Sequence, residues 1–463
     1  MTLIKSISGI RGTIGGKEGE SLSPIDVVKY SAAFGQWTRN NSDNNKIVIG
    51  RDARPSGTLI AKLVASTLQS LGIDVIDLGL STTPTVEMAV PMEKASGGII
   101  ITASHNPTGW NALKLLNADG EFISADAGAE VLKIADEGAV EYALPKDFGS
   151  FAEDDSYIDK HIEEIVKIPL VDVDAIQARG FKVAVDAVNS TGGIAIPKLL
   201  EKLGVTNFEI FYAEPTGLFP HNPEPLPENI THICNEVEAG RFDLGIVVDP
   251  DVDRLAFVGD TGEPYGEEYT LVTIADYVLK NKKGNSVSNM SSTRALKDVT
   301  LKNGGSYEAA AVGEVNVVNK MKATDAIIGG EGNGGVIFPE LHYGRDALVG
   351  IALFLSHLAK FGKSASLLRA MYPNYHISKN KIELTPEIDV DKVLEGVRAK
   401  YEKQPINLED GVKIEFDSEW VHLRKSNTEP IIRIYAESES ENTAKVLANK
   451  IIMDIKEIVS EPV

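Results

Sequence analysis

The chain has 463 residues, 43% hydrophobic and 24% charged, which excludes disorder over most of its length and excludes a fibrous repeat. Lys plus Arg number 46 and Asp plus Glu 67, a net charge of −21. Such acidity argues against general binding to nucleic acid or to an anionic membrane, and leaves room for a small anionic ligand only where Arg and Lys concentrate locally. At about 150 residues per domain the length suggests three domains, with two or four allowed. Cys234 is the only cysteine, so no disulfide can form within the chain. It reads as an inert core thiol in a protein of a reducing compartment. Residues Met1 to Arg11 lack a signal-peptide core, and no run of 18 apolar residues occurs, so a cytoplasmic location is expected.

Short β-branched runs alternate with helical patterns along most of the chain. Lys46 to Gly50 reads as a buried strand, followed by a helix over Gly57 to Leu71 in which Ile60, Leu63, Val64, Thr67, Leu68 and Leu71 recur at helical spacing. Asp74 to Gly79 and Gly98 to Thr102 read as further strands. The rhythm restarts at Phe181 to Asp186 with a helix to Leu203, then the strand Asp243 to Val248. A third round holds a helix over Glu268 to Asn281, a strand over Ala326 to Gly329 and a helix over Arg345 to Phe361. Strands alternating with helices predict α/β units with mostly parallel sheets. From about Tyr375 the order changes to strand, helix and the runs Val412 to Phe416, Trp420 to Arg424 and Ile431 to Ala436, closed by a long helix striped with Ala444, Leu447, Ala448, Ile451, Ile452, Ile455 and Ile458. Adjacent strands without intervening helices predict a small antiparallel α+β domain.

Four segments can carry chemistry. In GIIITASHNPTGWNALKL, Ser104 sits just beyond a strand, where ligands of α/β sheets bind. Asn106-Pro107 and Thr108-Gly109 equally allow an ordinary turn. A hydrolase elbow is excluded, because Thr102 and Asn106 stand where glycines are needed. In DLGIVVDPDVDRLAFV, Asp249, Asp251 and Asp253 alternate in a segment expected to be extended, which places three carboxylates on one side. They repel unless a cation neutralises them, and hard oxygen donors suit Mg²⁺ or Ca²⁺. An EF-hand fails, with Arg254 at its sixth position and Asp260 at its twelfth. In LRKSNTEPIIRIY, Arg424, Ser426, Asn427, Thr428 and Arg433 have the composition of a phosphate clasp, or of a polar hairpin turn. IGGEGNGGVI places Glu331 and Asn333 after a strand, suited to hydroxyl recognition or to a tight turn. Ser8 to Gly16, with Arg11 at its centre, reads most simply as a flexible terminal loop. The eight histidines show no metal-ligand spacing, and only His105 adjoins a motif.

Together the SHNP loop, the DPDVDR segment and the RKSNTEP segment resemble the α-D-phosphohexomutase superfamily, which includes phosphoglucomutases, phosphomannomutases and phosphoglucosamine mutases. The resemblance covers nearly the whole chain. It implies four domains around a central cleft: three with related α/β/α cores of mixed sheet (residues 1–152, 153–256 and 257–370) and a smaller C-terminal α+β domain (residues 371–463). By motif match, Ser104 would be the phosphorylated serine, and Asp249, Asp251 and Asp253 would bind Mg²⁺ together with it. Lys114, Arg254, Arg11 and His105 would stand at the reacting group. Glu331 and Asn333 would read the sugar, and Arg424, Ser426, Asn427, Thr428 and Arg433 would hold its phosphate.

The implied activity interconverts 1-phospho and 6-phospho sugars, with a glucose or glucosamine 1,6-bisphosphate as intermediate and activator, in a monomer or dimer. The family's usual Ser and His in the sugar loop are replaced here by Asn333 and Gly335, and Trp110 and Ala112 stand where Tyr and Gly are frequent. The VGEVN and GEGNGG segments look like archaeal-type phosphoglucosamine mutases. A phosphoglucomutase/phosphomannomutase is the alternative sugar reading, and a non-catalytic sugar-phosphate binder is the alternative of another class.

Overall fold

The computed structural model of the chain describes residues 2–6, 9–383, 388–425 and 431–460. They form two compact units, Met1–Thr270 with Asn333–Leu368, and Leu271–Gly332 with Arg369–Val463. No helix among the described residues is long and apolar enough to cross a membrane.

The first unit holds two sheets. The larger has seven strands in the order Leu3–Ser6, Gly9–Thr13, Trp110–Leu116, Gly97–Ile101, Lys46–Arg51, Asp74–Leu80 and Phe151–Glu153. The last four run parallel and the first three join antiparallel, so the sheet is mixed. Helices cover both faces. On one, Tyr30, Phe34, Val64, Leu68 and Val131 pack against Ile47, Ile49 and Ile99. On the other, Val86, Ala89 and Val90 pack against Val48, Leu78 and Ile100. This double coverage explains why Ile47, Val48 and Ile49 form an unbroken apolar run with no alternation. Helix Pro24–Asn41 starts at a capping box in which Ser23 and Asp26 satisfy each other's backbone.

The smaller sheet runs Leu255–Gly259, Leu244–Val248, Lys182–Asp186 and Asn207–Phe211, antiparallel at the first pair and parallel elsewhere. Ile233 and Val237 of helix Thr231–Gly240 pack on Ala184, Val247 and Ala256. Cys234 on that helix is half-buried, and burial pushes its thiol up to about 11, which suits the inert role expected of it.

In the second unit the strands Tyr307–Ala310, Asn285–Asn289 and Ala326–Glu331 pair in parallel. A separate five-stranded antiparallel sheet takes the order His376–Glu383, Ile431–Ser438, Trp420–Lys425, Val412–Glu415 and Ile406–Asn407. Its core is Val393, Val397, Ile414, Leu423, Ile432, Ile434, Ile451 and Ile455, from the sheet and from helices Val390–Lys400 and Glu441–Ser460. This is the expected C-terminal α+β arrangement.

Three local expectations need correction. Gly9–Thr13 is not a loose terminal loop but a strand held between Leu3–Ser6 and Trp110–Leu116; Ser8 lies outside the described residues. The helix expected from Arg345 begins at Ala347, because the Asp346 side chain accepts from the Leu348 and Val349 N–H groups and so occupies the cap position. The aspartate triplet is not extended. It forms a turn between two antiparallel strands, with Val252 N–H donating to the Asp249 carbonyl and Val252 at φ +62°.

Candidate active site

Both loops of the first unit leave the carboxyl ends of parallel strands, Gly97–Ile101 and Leu244–Val248, where α/β sheets present their ligand sites. Ser104 sits at φ +50°. A non-glycine residue there is strained, and it persists only where its surroundings over-determine it. They do so here. Its N–H donates to Thr102 Oγ1 at 2.9 Å, and Thr102 Oγ1 donates to Asp52 Oδ2 at 2.7 Å. Beneath the loop lies Arg54, 1% exposed, whose Nε binds Asp52 at 3.0 Å. Its Nη1 donates to the carbonyls of Pro107 and Trp110, and its Nη2 to those of Ser104 and Asn106. All five guanidinium N–H groups are thereby used.

Ser104 Oγ donates to Asp249 Oδ2 at 2.8 Å. Lys114, projecting from strand Trp110–Leu116, places Nζ 2.7 Å from Asp251 Oδ2 and 3.7 Å from Asp253 Oδ2. The turn delivers Asp249, Asp251 and Asp253 to one point with each fully buried. Thr83 fastens it from the side, Oγ1 donating to Asp251 Oδ2 at 2.6 Å and N–H to the Asp251 carbonyl at 2.8 Å. Ser190 and Thr191 both donate to the Pro250 carbonyl. Arg345 Nη2 reaches Asp253 Oδ2 at 2.6 Å.

Charge in this pocket is unevenly shared. Burial, with Asp253 and Asp251 beside it, pushes the Asp249 carboxyl well above the usual carboxylate range. Burial acts on Asp251 in the same sense, but the Lys114 ammonium and the Thr83 hydroxyl outweigh it and hold Asp251 below that range. Lys114 is the mirror case: burial disfavours its charge, and Asp251 and Asp253 raise it nonetheless. Asp251 Oδ1 and Asp253 Oδ1 are buried without a hydrogen-bond partner. Three buried carboxylates with two such oxygens form an all-oxygen donor set of the kind hard divalent cations take. The triplet can hold a metal ion.

Of the other expected residues of this unit, Arg11, His105 and Arg254 lie beside the Ser104 loop. Arg11 Nη1 donates to Asn106 Oδ1 at 2.9 Å. His105 Nδ1 is 3.4 Å from Ser104 Oγ; burial, then Arg254 and Arg11, drive its imidazole far below the ordinary value, so it is neutral. Arg254 Nη1 donates to Glu224 Oε1 at 2.9 Å. Asn333 Oδ1 accepts from the Gly335 N–H at 3.2 Å. Gly334, at φ +88°, lies so close to the Leu255 carbonyl that a Cβ would stand 2.4 Å from its oxygen. The Leu255 N–H in turn donates to the Gly334 carbonyl.

In the second unit, Glu331 is buried at the end of strand Ala326–Glu331, with Oε1 accepting from Asn289 Nδ2 at 2.8 Å and the Gly313 N–H at 3.2 Å. Arg424 and Arg433 are directly opposed across strands Trp420–Lys425 and Ile431–Ser438, and Lys381 is opposite Arg433 on the next strand. Arg424 Nε is 2.7 Å from Asp410 Oδ2. Like charges opposed in a sheet destabilise it, and Asp410 supplies part of the negative charge that this row needs. Ser426, Asn427 and Thr428 lie outside the described residues.

Arg54, Asp52, Thr83 and Arg345 escaped the sequence reading. The segment GRDARPSG that carries Arg54 follows a strand as the other site loops do, and that placement is the signal that could have found it.

Four profiles of one family match the chain in order: phosphoglucomutase/phosphomannomutase alpha/beta/alpha domain I over residues 3–141, domain II over 156–262, domain III over 266–375, and the C-terminal domain over 381–453. A phosphoglucomutase/phosphomannomutase of Thermococcus kodakarensis is 36% identical, covering 94% of this chain and 95% of that one. A phosphoglucosamine/phosphogalactosamine mutase of Sulfurisphaera tokodaii is 31% identical, over 97% and 98%. The crystal structure of a phosphoglucomutase/phosphomannomutase family protein from Burkholderia thailandensis superposes with a TM-score of 0.85 at 25% identity, over 99% of both chains. With four domains in the family's order, the chain belongs to the phosphoglucomutase/phosphomannomutase family, whose members are phosphohexomutases.

Proposed function

We propose that the protein interconverts glucosamine 1-phosphate and glucosamine 6-phosphate through a phosphoserine at Ser104. The observation that carries the reading is the 2.8 Å contact of Ser104 Oγ with Asp249 Oδ2, inside a pocket that also holds Lys114, Asp251 and Asp253. A phosphoserine carries a charge close to −2, which three carboxylates alone would repel. Asp249, Asp251 and Asp253 would hold Mg²⁺, with an oxygen of the serine phosphate. When bound, the ion supplies the positive charge that lets this phosphate reside beside carboxylates and transfer.

The chain's own groups do the rest. Arg54 fixes the loop so that Oγ points at the triplet. Lys114, kept cationic by Asp251, and Arg254 neutralise charge developing on the phosphoryl oxygens. A sugar hydroxyl takes the phosphoryl group as the bond to Ser104 Oγ breaks, giving a glucosamine 1,6-bisphosphate. That sugar turns over and returns its other phosphate to Ser104. Arg424 and Arg433, with Ser426, Asn427 and Thr428, would grip whichever phosphate is not reacting. Glu331 would accept from sugar hydroxyls, and Asn333 adds a donor and an acceptor on a longer reach than the usual serine.

The sugar is supported by the VGEVN and GEGNGG segments and by the likeness to the phosphoglucosamine/phosphogalactosamine mutase of S. tokodaii. Comparing kcat/KM for glucosamine, glucose and mannose 1-phosphates tests it. A glucosamine value at least tenfold below either hexose phosphate replaces this reading with a phosphoglucomutase/phosphomannomutase.

A further inference from the structure

Outside the aspartate triplet, one other group of side chains in the first unit converges as metal ligands do: His161, His342 and Asp346. They come from three places in the chain, helix Tyr157–Lys167, the turn after residue 338 and the cap of helix Ala347–Phe361. His161 and Asp346 are fully buried, and the His342 side chain is 11% exposed. Asp346 Oδ2 stands 3.0 Å from His161 Nε2 and 3.3 Å from His342 Nε2. A tetrahedral ion with ligands at about 2.0–2.1 Å separates its ligand atoms by about 3.3 Å. The rings are perpendicular, at 83° with centroids 6.0 Å apart, so they approach the shared oxygen from different directions.

The far sides of both rings are also engaged. His161 Nδ1 lies 3.0 Å from Thr85 Oγ1. His342 Nδ1 lies 3.6 Å from Glu87 Oε2, and the Glu87 side chain is 1% exposed. Gly344 makes that approach possible, since a Cβ there would stand 1.9 Å from Glu87 Oε2. His342 is thus set between two carboxylates, one on each nitrogen. A neutral imidazole has one N–H and can serve only one of them. A protonated imidazole or an ion on Nε2 resolves the count; with the ion, Nδ1–H faces Glu87 and Asp346 becomes a co-ligand. Carboxylate–histidine–metal is the arrangement that orients ligating histidines.

We propose that His161 Nε2, His342 Nε2 and Asp346 Oδ2 form a second metal site, of the zinc type, with Glu87 and Thr85 orienting the two imidazoles. Three protein ligands leave the fourth tetrahedral position to solvent, which reaches the cluster on the His342 side. Two imidazoles select a borderline transition ion over Mg²⁺. The site fastens helix Thr83–Met92, whose Thr83 grips Asp251, to the turn whose Arg345 grips Asp253. It would act structurally on the aspartate turn without touching substrate. Sequence spacing could not reveal it, because His161 and Asp346 are 185 residues apart.

The test uses the full-length protein freed of metal by chelation and titrated with Zn²⁺ and with Co²⁺. Asp251→Asn, whose triplet is impaired, binds one equivalent of Zn²⁺, the wild type binds that equivalent in addition to any ion in the triplet, and Co²⁺ gives the intense visible bands of a tetrahedral centre in both. His342→Gln loses the equivalent and the bands. Glu87→Gln keeps the bands and weakens binding about 10- to 100-fold. Circular dichroism checks folding, and should His342→Gln be unfolded, His161→Asn and the wild-type titration decide. The proposal is overturned by an Asp251→Asn protein that binds no Zn²⁺ at micromolar concentration, by Co²⁺ spectra of that variant without tetrahedral bands, or by folded histidine variants that bind as the wild type does.

Discussion

Arg54 and Ser104 meet through the backbone: Nη2 of the buried arginine donates to the Ser104 carbonyl at 2.5 Å. The same guanidinium holds three further carbonyls of the loop, so Arg54 is a positioning residue for a serine kept at a strained φ. Arg54→Lys preserves the charge and loses the fan of five donors. It is expected to lower kcat on the order of 100-fold, since displacement of a reacting group by about 1 Å costs that much. Triplet metal affinity should be unchanged. Steady-state kinetics with a parallel metal titration checks both, and unaltered kcat would remove the positioning role.

Ser104→Ala is expected to abolish turnover while sugar-phosphate binding by calorimetry persists, and mass spectrometry should find phosphate on Ser104 in the wild type alone. Wild-type-like turnover by the alanine variant would sink the phosphoserine mechanism.

Asp251 joins Lys114, Thr83 and the triplet. Asp251→Asn, or EDTA, should cost several kcal/mol of transition-state stabilisation, on the order of 10³-fold in rate, with Mg²⁺ restoring only the wild type. Full activity in EDTA with no metal bound would rule the site out.

The opposed pair Arg424 and Arg433 should act on binding. Each change to Ala is expected to raise KM by about 1.5–3 kcal/mol per lost charged hydrogen bond, with kcat nearly constant. A collapse of kcat at constant KM would contradict the clasp.

His221 offers a pH test away from the chemistry. Burial opposes its charge, but the hydrogen bond of Nε2 to Asp186 Oδ2 at 3.0 Å prevails and raises its pKa above the ordinary value. A histidine with a raised folded pKa gives stability that is fully present below the unfolded pKa, about 6.5, and fades as pH climbs through the folded value. His221→Gln should therefore cost about 1–2 kcal/mol at pH 5.5 and distinctly less at pH 8.5, read from denaturant midpoints. An equal cost at both would show that the pair is not ionic.

What was legible in the sequence was local. Within Lys46–Arg51 the strand announces itself because both faces are covered and Ile47, Val48 and Ile49 form an unbroken apolar run. Ser104 and the aspartates stand out because strand ends and crowded carboxylates leave marks within a few residues. Arg54, Thr83 and Arg345 left no such mark, since each matters only through a partner brought near by the sheet. Alternation is the simplest way for a sequence to gather three carboxylates, and it predicts an extended triplet. A turn with Val252 at positive φ gathers them more closely. Apolar periodicity carries the expected helix back to Arg345 and cannot see that the Asp346 side chain caps it, so that it begins two residues later at Ala347.

On the proposed reading of GEGNGG as the sugar loop, its last two glycines set bounds on how this chain can change it. Position 334 is closed by the Leu255 carbonyl, and a Cβ at 335 would meet Arg345 Cδ at 2.3 Å. A new side chain at either would push on the strand that leaves the aspartate turn, or on the arginine that grips Asp253. Asn333 carries no such constraint. A codon library spread over positions 333 to 335 of this chain should thus return survivors that differ mostly at the first of them, unless Arg345 or the Leu255 strand changes along with 334 or 335.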